Sequence, residues 1–365
     1  MKLKTNVPRL SVLFAAVLLT VVLFSVFSVE AKETNINKRG DLVWVEWDGN
    51  DYELYLYYKG TVTQITDNAY NDNSPQINDK GEIVWMGHDG HDFEIFLYSK
   101  GIITQITDND YSDRRPQINA KGQIIWSTDK GGQQYDIYLY SKGTITHITD
   151  SGYLDESPQI NAKGQIVWSG FDGNDNEIYL YSKGTITQIT DNDYGDYDPH
   201  INGKGEIVWM RYDGHDFEIF LYSKGIITQI TDNDYIDEYP QISDKGQVVW
   251  ERHDSNDYEI CLYSKQTITQ ITDNAYDDMG PQINSKGQIV WYTYKGGQKY
   301  DIYLYSKDTI TQITDNPYYN EDPQINAKGL IVWEGYDGND YELYLYNKAT
   351  ITQFTDNDYD DFFED

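Results

Sequence analysis

Acidic side chains recur in this sequence at spacings that suit a hard cation. Asp108, Asp110 and Asp113 crowd three carboxylates into six residues, and Asp356, Asp358 and Asp361 repeat the arrangement near the chain end. A calcium ion takes about six to eight oxygen ligands, for which carboxylates are well suited. Neither stretch has the central Gly and terminal Glu of an EF-hand loop. Calcium at these six aspartates is therefore one expectation. The other is an Asx-type turn, in which an Asp ahead of Pro accepts from loop amides. No other cofactor is expected.

The remaining reactive residues form no catalytic constellation. The histidines are His88, His91, His147, His200, His215 and His253, scattered without paired-ligand spacing. His200 is the best placed singly, because it stands where sibling segments have Gln or Asn. Cys261 is the only cysteine, so no internal disulfide is possible. Its siblings are Tyr or Phe, which marks it as a packed strand residue. There is no Gly-x-Ser-x-Gly elbow, phosphate loop or metalloprotease helix. Tyr70, Tyr111, Tyr153, Tyr194, Tyr235, Tyr276, Tyr318 and Tyr359 recur once per loop. Such rings could stack on sugars, but packing of each ring against its own loop is the favoured reading. The chain is not expected to be an enzyme, since near-identical repeats offer one set of groups many times over.

The elements that must position these residues are repeats. Trp44, Trp85, Trp126, Trp168, Trp209, Trp250, Trp291 and Trp333 are separated by 41, 41, 42, 41, 41, 41 and 42 residues. The two long steps follow Trp126 and Trp291, where Lys130-Gly131-Gly132 and Lys295-Gly296-Gly297 replace an Asp-Gly turn. An insertion confined to a turn leaves the strands in register. Within the fourth repeat, Pro158–Asn161, Gln165–Trp168, Glu177–Tyr181 and Thr185–Thr190 read as four short strands, A to D, separated by turns. Four strands in about 40 residues is the signature of a propeller blade. The expected fold is all-β: an eight-bladed β-propeller, four antiparallel strands per blade, over residues 34–365. Its blades start near 34, 75, 116, 158, 199, 240, 281 and 323, and strand A is innermost. The ring is expected to close without borrowing a strand.

The pattern Ile-Thr-Asp-Asn-x-Tyr-x-Asp-x-x-Pro is carried by Thr107, Asp108, Asn109, Tyr111, Asp113 and Pro116. Trp126 and then Asp136, Ile137 and Tyr138 follow. This resembles the TolB-type propeller repeat and implies the same fold over residues 34–365. It departs at Ile118-Asn119-Ala120-Lys121-Gly122, where that repeat has Trp-Ser-Pro-Asp-Gly, so the resemblance carries no particular partner.

Alternating strand direction sorts the turns onto two faces. The A–B and C–D turns carry 16 of the 25 basic residues beyond residue 31, among them Lys80, Lys121, Lys100 and Lys142. The B–C and D–A loops collect aspartates, including Asp48, Asp51, Asp172, Asp175, Asp191 and Asp193. One reading makes these residues solvated turn formers. The other makes the acidic face a docking surface. Overall the chain has 28 Lys and Arg against 60 Asp and Glu. Such a balance repels phosphate backbones, so nucleic acid is excluded as a partner.

Lys2, Lys4 and Arg9 precede an apolar run from Leu10 to Val29, and Val29-Glu30-Ala31 is a small-residue cleavage site. Residues 1–31 are expected to be a secretory signal, with an uncleaved membrane anchor as the alternative. The expectation from sequence is a secreted or periplasmic, non-catalytic propeller. It binds a protein, glycan or cell-surface polymer through its acidic loop face, without inserting into the membrane after cleavage. Alternatives are a calcium-binding surface or matrix protein and a propeller-type polysaccharide lyase or hydrolase.

Overall fold

A computed structural model describes residues 34–132, 134–297 and 299–356. The signal over residues 1–31 and two of the candidate metal ligands, Asp358 and Asp361, lie outside the described residues. Within them the chain forms eight four-stranded antiparallel sheets and no helix. Each blade is built from four consecutive strands, from Thr34–Gln64 in blade 1 to Asn320–Gln353 in blade 8. The first strands of adjacent blades touch one another, including those of blades 8 and 1, and so form the inner ring. All eight fourth strands are exposed along their whole length. Their alternation of Thr with Ile or Val makes them soluble outer edges.

The repeating tryptophans are the core. Each is at most 1 % exposed and lies on the second strand. In seven blades the indole stacks on the cross-strand aromatic of the third strand, as in Trp85–Phe96 at 5.6 Å and Trp209–Phe220 at 5.9 Å. Blade 6 substitutes Cys261, which packs against Trp250 and is fully buried. Burial pushes its thiol up to about 12, so it is an inert packing residue, as its siblings suggested.

The apolar clusters run between blades. Val43, Leu54 and Leu56 of blade 1 pack with Ile77, Ile83 and Trp85 of blade 2. The ring closes the same way, by side-chain packing and by side chains bonded to backbone carbonyls. Leu42 and Trp44 pack against Val332 and Leu343. Asn326 Nδ2 donates to the Asn37 carbonyl at 3.0 Å, Lys328 Nζ donates to the Arg39 carbonyl at 2.8 Å, and Gln324 Nε2 donates to the Thr34 carbonyl. Among the described residues no strand is exchanged at the closure.

The first strands extend further back than the Pro that marks each repeat. Blade 2 starts its first strand at Asp72 and blade 3 at Asp113. The extension is possible because the register slips just before the Pro. Asn73 pairs with Met86 and Gln76 with Val84, leaving Ser74 and Pro75 both opposite Trp85. This β-bulge absorbs the proline, which has no N–H for the ladder. The residue before the Pro takes a positive φ in blades 2 to 8, between 47° at Asp198 and 63° at Gly280.

Candidate functional site

The extension of the first strands relocates one of the candidate metal ligands. Asp113 is fully buried at the head of its strand, while Asp108 and Asp110 are exposed in the preceding loop. Asp113 accepts from Trp126 Nε1 at 3.1 Å, from Asn109 Nδ2 at 2.8 Å and from Thr128 Oγ1. Its role is to satisfy the buried indole N–H. Asp72, Asp155, Asp196, Asp237 and Asp278 do the same in their blades, at 2.6 to 3.0 Å. Asp356 lies exposed at the end of the described residues.

Three-acid groups form elsewhere on this face, at the turn between the second and third strands. Asp48, Asp51 and Glu53 in blade 1 bring one carboxylate oxygen each to within 4.8 Å of one another. Equivalent groups are Asp89, Asp92 and Glu94; Asp172, Asp175 and Glu177; and Asp213, Asp216 and Glu218. The motif is Asp-x-x-Asp-x-Glu, and blades 6 and 8 repeat it as Asp254, Asp257 and Glu259 and as Asp337, Asp340 and Glu342. The glutamate reaches across to the next blade. Glu53 Oε1 accepts from the Asn68 amide at 2.6 Å, and Asn68 Nδ2 donates to Asp72 at 2.7 Å. Desolvation and the neighbouring acids push Glu53, Glu94, Glu177, Glu218 and Glu259 up to about 7.

Blades 3 and 7 differ. In blade 7, Lys295 and Lys299 stand where the two turn aspartates stand elsewhere, and the third-strand acid is Asp301 instead of Glu. Lys295 Nζ lies 2.8 Å and Lys299 Nζ 3.5 Å from Asp301 Oδ2, and Lys299 also pairs with Asp315 at 2.8 Å. In blade 3, Lys130 Nζ is 4.0 Å and His147 Nε2 2.9 Å from Asp136.

A second, asymmetric group lies at the inner ring. The bulge residues differ from blade to blade: Ser74, Arg115, Ser157, Asp198, Tyr239, Gly280 and Asp322. Non-glycine residues rarely hold a positive φ, and such strain gathers at functional positions. Neighbouring bulges meet, as Ser157 Oγ donates to Asp198 Oδ1 at 3.2 Å. Asp198 is 5 % exposed and its Oδ2 has no partner. Glu251, buried on the second strand of blade 6, accepts from the Gly280 amide at 2.7 Å. Burial, with like charges alongside, pushes Asp198 up to about 6, Glu238 and Glu321 to about 7 and Glu251 to about 8. Arg115 opposes the shift at Asp198. Unlike groups of neighbouring blades thus meet at the inner ring. They were missed because the repeats look identical when only the Trp, Thr-Asp and Pro positions are compared. The two residues before each Pro carried the signal.

The lysine-bearing face is structural. Lys80 Nζ donates to the carbonyl of Lys121, Lys121 to that of Lys163 and Lys163 to that of Lys204, at 2.7 to 2.8 Å. Alongside runs an asparagine girdle. Asn78 Nδ2 bonds to the Asn119 carbonyl, Asn119 to Asn161, Asn161 to Asn202 and Asn202 to Ser243, at 3.0 to 3.1 Å. The C–D turn lysines, such as Lys59 and Lys100, hold positive φ as turn formers.

His200 lies on the inner strand of blade 5, paired with Val208, and desolvation lowers it to about 4, so it is neutral at pH 7. Tyr70, Tyr153, Tyr194 and Tyr318 are partly exposed and lie against the turn glycines Gly90, Gly173, Gly214 and Gly338, while Tyr359 lies outside the described residues. Tyr70 is 44 % exposed, and its hydroxyl would lie 2.8 Å from a Cβ added at Gly90, whose φ is +105°. The close approach and the positive φ both demand glycine there.

No family model matches the chain, and no curated protein is similar to it in sequence. Solved structures are. The propeller domain of the trilobed protease from Pyrococcus furiosus, with an open velcro topology, is 13 % identical at a TM-score of 0.58. That match covers 79 % of this chain and 98 % of the domain. Dipeptidyl peptidase 4 of Porphyromonas gingivalis is 11 % identical at a TM-score of 0.64, over 90 % of this chain and 60 % of that one. The acylaminoacyl peptidase of Pyrococcus horikoshii is 13 % identical at 0.56, over 83 % and 57 %. The chain thus spans under two thirds of the peptidase chains it matches. These solved propellers belong to peptidases, which overturns the expectation of a non-catalytic protein- or glycan-binding scaffold. The chain is an eight-bladed β-propeller with the fold of peptidase propeller domains.

Proposed function

We propose that this propeller serves a peptidase, engaging the peptide at the inner ring of bulge residues. The observation that carries the reading is the match over 98 % of a protease's propeller domain. The inner ring supports it. Asp198 offers a buried acceptor with Arg115 in its field, and Glu238 a half-buried one near Asp198, an arrangement suited to the amino end and carbonyls of a peptide. The TolB-type repeat motif agrees with this fold and adds no partner. The secretory signal expected over residues 1–31 supports a site of action outside the cytoplasm.

Fluorescence anisotropy with short peptides, free or acetylated at the amino terminus, tests the reading. The free amine is expected to bind roughly tenfold tighter, a difference of about 1.4 kcal/mol. Asp198→Asn combined with Glu238→Gln should abolish that preference. In parallel, hydrolysis of the same peptides by peptidase-containing extract of the source cells should rise when the protein is added. No binding and no change in hydrolysis would overturn the reading.

A further inference from the structure

We propose that the acidic turns between the second and third strands are calcium sites, one in each of the six blades with the Asp-x-x-Asp-x-Glu motif. Blade 1 is the best-defined case, with Asp48, Asp51 and Glu53. The inference concerns the rim of the acidic face and is independent of the peptide-binding reading.

Clustered acids alone would say little on so acidic a chain. Two further observations point to a cation. The first is an unsatisfied buried oxygen. Asp51 is only 6 % exposed, its Oδ1 has no hydrogen-bond donor, and it sits within the three-carboxylate group. Asp216 in blade 5 is 9 % exposed and its Oδ1 is likewise without a donor. A buried carboxylate oxygen left unpaired is costly, so a ligand is expected to cover it. Asp51 also lines an open groove of about 320 Å³ with Asn50, Tyr70, Asn71 and His88, which gives an ion a path from solvent.

The second observation is the substitution that the chain itself supplies. In blade 7 the same place is filled by ammonium groups. Lys295 and Lys299 replace both turn aspartates, and both reach the acid of the third strand. In blade 3, Lys130 takes the first position and lies 4.0 Å from Asp136. Wherever the turn supplies lysine, the third-strand acid is the shorter Asp; wherever the turn supplies aspartates, it is Glu. The positive charge is thus built into two blades, whereas the other six carry the acid motif with no lysine in it, and in blades 1, 2, 4 and 5 its oxygens converge. Oxygens within 4.8 Å of one another are spaced to share one ion, because calcium holds its ligands at about 2.3 to 2.6 Å. Three carboxylates leave further positions for water or carbonyl oxygens.

The test is calorimetric titration of calcium into the EDTA-treated protein, with thermal melting in parallel. About six ions per chain are expected, with dissociation constants between about 10 µM and 1 mM. Saturation should raise the melting temperature by about 10 °C. Asp48→Asn with Asp51→Asn should reduce the stoichiometry by one. Asp308→Asn, an exposed acid in the turn between the third and fourth strands of blade 7, should leave it unchanged. Should the first variant not fold, Asp213→Asn with Asp216→Asn in blade 5 makes the same test. No binding below 10 mM, or unchanged stoichiometry in a folded turn variant, would overturn the proposal.

Discussion

In blade 7 the turn between the second and third strands presents Lys295 and Lys299 to Asp301, while in blade 1 the same turn presents Asp48 and Asp51 to Glu53. The two blades share their strand order, their buried Trp and its stacking on a tyrosine. What differs is how the third-strand carboxylate, fully buried in both, meets its charge. Asp301 is neutralised by ammonium groups of its own turn. Glu53 lies beside more acid, and burial raises it to about 7. A buried carboxylate must be paired, protonated or bound to a cation. Blade 7 uses the first route, and the acid-turn blades are left with the other two.

The largest effect should come from breaking the paired blade. Lys295→Met leaves Asp301, fully buried, with only the more distant Lys299 as cationic partner. Removing one member of a buried pair should cost about 3 kcal/mol, read as a lower urea midpoint, and calcium should not restore it.

Next in size is the pH response of the acid-turn blades. Their third-strand glutamates have folded values raised to about 7 from an ordinary 4.5. The native state therefore holds more protons than the unfolded chain between those values. Its stabilisation from these groups is full below about pH 4.5 and lost as pH rises through about 7. Melting in EDTA should be higher at pH 5.5 than at pH 8, and calcium should flatten the slope by holding the carboxylates ionised. A melting temperature independent of pH in EDTA would count against the raised values.

Converting one type of blade into the other sharpens the comparison. Replacing residues 172–177 by Lys-Gly-Gly-Gln-Gln-Tyr-Asp gives blade 4 the turn of blade 3. The graft should fold without calcium and bind one ion fewer by titration. The smallest effect lies on the opposite face, where the asparagine girdle is interrupted. Ser243 accepts from Asn202 but has no amide to pass the contact on, as Asn284 does to Asn326. Ser243→Asn should stabilise by about 1 kcal/mol, seen as a small rise in melting temperature.

Much of this was legible in the chain. The Trp spacing announced eight blades, and the two one-residue insertions located the lysine turns. The acid site was legible only in part. Asp108, Asp110 and Asp113 look like one cluster in sequence, yet Asp113 faces the indole of Trp126 while its neighbours face solvent. A strand alternates its side chains between faces, and the bulge before Pro116 shifts that alternation. Proximity along a loop was therefore a poor guide to proximity in space. The motif Asp-x-x-Asp-x-Glu, which does converge, spans a turn and the strand after it.

The sequence by itself determined the blade count, the strand order within each blade and the sorting of lysines and aspartates onto opposite faces. These follow from local turn chemistry and a period repeated eight times, and each blade states them anew. Only the tertiary structure decided which unlike residues meet. Arg115, Ser157, Asp198 and Glu238 come from successive blades, about 40 residues apart, and are brought near one another by the packing of adjacent first strands. The raised proton affinity of Asp198 and Glu238 comes from that packing, because desolvation depends on what packs around a carboxylate and not on its neighbours along the chain.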